Sequence, residues 1–178
     1  MTTPDCPVPS VLQPGLRLQS AADGGTAPAF RSLVFVSIPA PDYADVIVLP
    51  VPAGCPADPR LWAEAVFSAR SAPAWIRLLM GLRQAVVGVI GIHRATTAAF
   101  AVAEVLGEEA LINTDDTHLD FRCGVAFDAG ARLLRVTTAV RLKGWRGRLY
   151  FAPVRVLHPL VVHAMMAGAI RRLSRSAA

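Results

Sequence analysis

The sequence predicts an α+β domain, one antiparallel sheet with helices gathered on one face. Three observations point there. The apolar period changes from helical to alternating near Ala99. The alternating segments are joined by the short links "GE", "TDDT", "DAGA" and "KGWRG", and short links between strands mean antiparallel hairpins. The chain then closes on a long helical pattern, "HPLVVHAMMAGAIRRLSRS" (158–176). Pro159 lies in its first turn, and Arg171, Arg172 and Arg175 lie at its end, where cations suit the helix dipole.

Taken in order, residues 1–29 are rich in Pro, Gly, Ala and Ser and read as a flexible lead-in to a single domain over 30–178. "FRSLVFVSIP" (30–39) reads as a short early strand that stops at prolines. "DYADVIVLPV" (42–51) is a better strand, β-branched and bounded by Pro and Gly. Asp58 caps a helix over 59–69, with Pro59 in its first turn. A second helix runs from Pro73 to Ile90, and Arg83 falls inside its apolar arc. A guanidinium there must snorkel or meet a carboxylate. Strands follow at 99–106, 109–113, 118–127, 132–142 and 148–157. The plan is a sheet of about six strands on a long C-terminal helix, with two helices after the first strand.

Composition narrows the class. The chain has 178 residues, 53% of them hydrophobic and 17% charged, which suits one domain with a real core and excludes disorder. Mean hydropathy is +0.44, yet "QAVVGVIGI" and "LVVHAMMAGAI" fall short of the ~20 apolar residues of a spanning helix. The N-terminus shows no charged start followed by an apolar run, so a cytoplasmic protein without membrane contact is expected. Cys6, Cys55 and Cys123 make neither a disulfide framework nor a zinc pattern. The net charge of +5 gathers in "KGWRGR" and "RRLSR", but no nucleic-acid motif accompanies it and no nucleic-acid partner is expected.

Polar chemistry concentrates in "TDDTHLDFR" (114–122). If Ala129 and Gly130 form a two-residue loop, Val125 faces Leu134 and Cys123 faces Val136. His118 then stands beside Arg141, and Arg122 beside Thr137. Closing the neighbouring links puts Asn113 beside His118 and Tyr150 beside Arg141, with Asp120 diagonal to both His118 and Arg141. Asp115 and Asp116 fall in the turn, where Asp bonds the local backbone. A solvated face tied by cross-strand ion pairs explains the row blandly. The sharper reading makes it the polar wall of a cavity. Arg83, His118, Asp120, Arg122, Arg141 and Tyr150 would bind the ligand there, and His118, Asp120 and Tyr150 are the catalytic candidates. His118-x-Asp120 with His158 or His163 also has the layout of a non-haem iron triad, but the motif is short and no metal is expected. His158 reads as a structural contact at a helix start and His163 as a core histidine.

The element order resembles the helix-grip fold of the START-like and polyketide-cyclase (SRPBCC) superfamily, in which a curved sheet wraps a C-terminal helix around an apolar cavity. "PAWIRLLMGLRQAVVGVIGI", "TDDTHLDFRCGV" and "GRLYFAPVRVLHPLVV" resemble an uncharacterised bacterial family known only as a domain of unknown function, over residues 42–172. Some of its members are joined to short-chain-dehydrogenase-like domains. The resemblance implies the fold and carries no catalytic residues. This chain has no GxGxxG after a strand, so no nucleotide cofactor is expected.

Three functions fit. The first is binding of a small apolar or amphipathic molecule between sheet and terminal helix. The second is a cyclase, dehydratase or isomerase using acid–base residues in that cavity. The third is a non-catalytic interaction module that pairs with itself or with a dehydrogenase-like partner.

Overall fold

The computed structural model describes residues 31–79, 81 and 101–176. Five strands, β1 (Tyr43–Pro50), β2 (Val102–Leu106), β3 (Glu109–Asp115), β4 (Leu119–Asp128) and β5 (Leu133–Leu142), form one antiparallel sheet. Their spatial order is β1-β5-β4-β3-β2, a four-strand meander to which β1 returns along the far edge of β5. Helices α1 (Leu33–Ser37), α2 (Pro59–Phe67) and α3 (Gly144–Ser176) accompany it. The class is α+β, and a sheet carrying a long C-terminal helix is compatible with a helix grip.

One sheet face is covered by α2 and α3. Its core joins Trp62, Ala63 and Val66 of α2 to Ile112, Cys123, Val125, Leu134 and Val136 of the strands and Met166 and Ala169 of α3. Asp58 caps α2 by accepting from Arg60 N–H, as Pro59 at its first turn anticipates. The other face is partly covered by α1, and its Val34 and the Ile38 that follows it pack on Leu111 and Ala139. Buried Glu109 anchors α1, accepting from Ser32 Oγ at 2.6 Å and Leu33 N–H at 2.8 Å.

Three expectations change. "LVFVS" has strand propensity but forms α1, because Ser32 caps it and the apolar sheet face gives it a surface to bury against. The strand over 148–157 does not exist. Those residues are helical, and α3 starts at Gly144, which takes φ +66 straight after β5. Among the described residues the sheet therefore has five strands, not six. Gly147, Phe151, Val154, His158, Val161, Met165 and Gly168 recur at spacings of four and three on the covered side of α3. Pro153 and Pro159 sit on its exposed side, so the carbonyls of Leu149 and Arg155 that they leave unbonded reach solvent. Of the second predicted helix, residues 74–79 are helical, and 82–90, with Arg83, lie outside the described residues, as does the 1–29 lead-in.

Joining the two patterns makes α3 33 residues long with a stretch of mean hydropathy 1.3, enough by length and composition alone to cross a membrane. A single such helix is weak evidence for a span, and the inner side of this one packs into the core. Trp145, Leu149, Val156 and Leu160 are exposed on its outer side.

Candidate functional site

Two polar constellations stand on opposite faces of the sheet. The one anticipated from "TDDTHLDFR" lies on the α1 side. Its register differs from the expected one. The β4–β5 link is four residues, 129–132, with Asp128 Oδ1 accepting from Ala131 N–H and Arg132 at φ +55. Pairing thus moves by two residues, so Val125 faces Val136 and Asp120 faces Arg141 directly. An even shift keeps every side chain on its face, which is why the apolar pattern could not reveal it. The β3–β4 link is shorter than expected and lies further along the chain, at residues 116–118. Asn113 faces Arg122, not His118, and Asp115 faces Asp120.

These residues form an alternating charge network. Asp120 is 4% exposed. Its Oδ2 accepts from Arg141 Nη2 at 2.8 Å and Nε at 3.1 Å, and its Oδ1 meets Lys143 Nζ at 2.5 Å. Arg122 clamps Asp115 at 2.6 and 3.3 Å and donates through Nε to Ser37 Oγ at the end of α1. Asp116 builds the turn, accepting from Thr117 N–H. His118 is in that turn and not on β4, so it shares no strand face with Asp120. Its carbonyl accepts from Lys143 N–H, and Gly147 packs so closely that a Cβ there would run into that oxygen. Tyr150 belongs to α3 and is not a strand neighbour of Arg141. The structure therefore brings Asp120, Arg122 and Arg141 together and separates His118 and Tyr150 from the row.

Burial pushes the Asp120 carboxyl up, but hydrogen bonds from Lys143 and Arg141 and the Lys143 charge outweigh it and hold the group below the usual carboxylate range. A depressed folded pKa contributes stability that is complete above the unfolded value of ~4 and is lost as pH falls through the folded value. In urea titrations, the stability gap between the native chain and Asp120→Asn should be constant above pH ~5 and shrink in more acid solution. A gap independent of pH would show that the ion pairs do not hold that charge.

The second constellation was not anticipated and lies under α3. Asp45 on β1 faces Thr138 on β5, which faces Cys123 on β4. Asp45 Oδ2 accepts from Tyr43 Oη at 2.7 Å and lies 2.7 Å from His158 Nδ1. A carboxylate only accepts, so Nδ1 carries the proton and Nε2 becomes the variable atom of the ring. Tyr43 packs edge-on to both Phe151 and His158. Burial, then the hydrogen bond to Asp45, pushes the Tyr43 phenol well up, so it acts as a neutral donor. Burial and then the charge of Asp45 raise the Cys123 thiol too, leaving it an unreactive core group. Asp45 Oδ1 is buried without a hydrogen-bond partner, and His158 Nε2 has none among the described residues. The sequence offered one signal for this cluster, the place of His158 on the 147–151–154–158 helical stripe.

Among the described residues no three His, Cys, Asp or Glu side chains are grouped to hold a metal ion. No curated protein and no solved structure matches the chain. A family model does match, over residues 37–165, a span that contains Tyr43, Asp45, Asp120, Arg141 and His158. The chain belongs to the family described as Protein of unknown function (DUF2867).

Proposed function

We propose that the protein binds a small amphipathic molecule between the sheet and α3, with the ligand's polar group at Asp45, His158 and Tyr43. One observation carries the reading. Asp45 Oδ1 is a buried carboxylate oxygen with no partner, beside an imidazole whose Nε2 is likewise unengaged. Buried polar atoms are nearly always bonded, so this orphaned carboxylate oxygen marks a place where a partner belongs. In this reading Asp120, Arg122 and Arg141 brace the end of the sheet, and ligand contact falls to the face beneath α3.

The Asp45–His158 pair also favours a second reading. A carboxylate that orients an imidazole makes Nε2 a competent general base, suited to isomerisation or dehydration of a carbonyl compound. Binding comes first because the cluster contains no activated nucleophile: the Cys123 thiol is buried and held protonated.

Comparing native with denaturing mass spectra of the purified protein tests the proposal. A small-molecule adduct is expected on the native chain and should be lost from both His158→Gln and Asp45→Asn. A bare mass on the native chain, or an adduct indifferent to both substitutions, would overturn it. Retained adduct with lost turnover in His158→Gln would identify the acid–base role.

A further inference from the structure

The turn after α2 meets the last turns of α3 around a pocket of about 340 Å³, lined by Arg70, Ser71, Gly168, Arg171, Arg172 and Arg175. The α3 members share one helix side, at offsets of three, four and seven residues from Gly168. Gly168 sets the geometry. A Cβ there would run into the Ser71 carbonyl oxygen, so only glycine lets the Arg70–Ser71 turn lie against the helix. Four arginines thereby face one space with no acidic residue in its lining. Among the described residues, none of the four takes part in an ion pair. Ser71 adds an independent sign. It is 5% exposed, and its Oγ is buried without a hydrogen-bond partner.

Arginines near a helix C-terminus usually answer the macrodipole, but that dipole amounts to only about half a charge. Four positive charges around one pocket exceed it several-fold. Such a group is self-repelling until an anion enters, and guanidinium forks match phosphate oxygens two at a time. A hydroxyl donor such as Ser71 completes that coordination. The volume suits a small phosphorylated molecule and exceeds what a lone ion fills. Arg171, Arg172 and Arg175 lie beyond the family match at 37–165, so membership does not imply this pocket.

We propose that this pocket is a binding site for a phosphate group, separate from the Asp45–His158 site. The test measures thermal stability of the full chain in inorganic phosphate against chloride at matched ionic strength. It also measures cosedimentation with phosphatidylcholine vesicles with and without phosphatidic acid. Phosphate should raise Tm above the chloride control. Arg171→Gln/Arg175→Gln, both exposed positions, should weaken the response about tenfold or more. Ser71→Ala should weaken it less. Variant-sensitive binding to phosphatidic-acid vesicles without a response to free phosphate would support the site and identify a lipid headgroup as the source. No response to either probe, or one unchanged in the double variant, would overturn it.

Discussion

Trp62→Ala is expected to cost about 3–5 kcal/mol, the range for deleting a buried tryptophan. Trp62 is fully buried, lies with its ring centroid 5.1 Å from that of Phe127, and donates from Nε1 to Pro56 O at 2.8 Å. Its loss opens a cavity between α2 and the sheet and leaves the Pro56 carbonyl without its donor. Trp62→Phe keeps most of the packing and loses the hydrogen bond, so it should cost only about 1–2 kcal/mol. A domain stable by ~5–15 kcal/mol would be brought near its threshold by the first change and not by the second. Urea midpoints with an unchanged m-value would measure both. A loss under 1 kcal/mol for the alanine variant would contradict the seating of α2 on the sheet.

The second large effect is expected at Asp120. Arg141→Met or Lys143→Met alone should cost no more than ~1 kcal/mol, because each cation is substantially exposed and the other still pairs the carboxylate. The double variant leaves a carboxylate that is 4% exposed with neither counter-ion. About 3 kcal/mol is expected, well above the sum of the singles, with hydration and protonation limiting the loss. The pH dependence should invert. With both cations gone, burial raises the folded carboxyl above its unfolded value, so the folded state binds the extra proton and the variant gains stability as pH falls. Additive singles and an unchanged pH slope would show that Asp120 does not depend on this pair.

The strands were legible because their apolar residues alternate and Pro, Gly and Asp mark their ends. The chain partners were less so. Period-two patterning fixes which face a residue occupies, and it is blind to a two-residue slip, so it puts Asp120, Arg122 and Arg141 on one face but sets Arg141 diagonal to Asp120 where the sheet has them directly opposite. What decided the register was turn chemistry, the Asp128 side chain and the left-handed Arg132. The window 148–157 carried both periods at once. A ten-residue view favours the strand, and only the longer stripe from Gly147 to Gly168 reveals the helix. The Asp45–His158 contact spans 113 positions, and no local pattern encodes such a pairing.

That separation also orders the assembly of the domain. The hairpins of β2 through β5 close over a few residues each, whereas β1 must find β5 across nearly the whole domain, as in Tyr43 opposite Val140. Closing a loop of that size costs roughly 4 kcal/mol in chain entropy before any contact repays it. Folding should therefore begin in the meander, with β1 joining late. Until it does, β5 presents an unpaired edge that a second chain could extend. The ring and carboxylate that meet beneath α3 come from the early and late parts of the chain, so their contact reports that the sheet has closed.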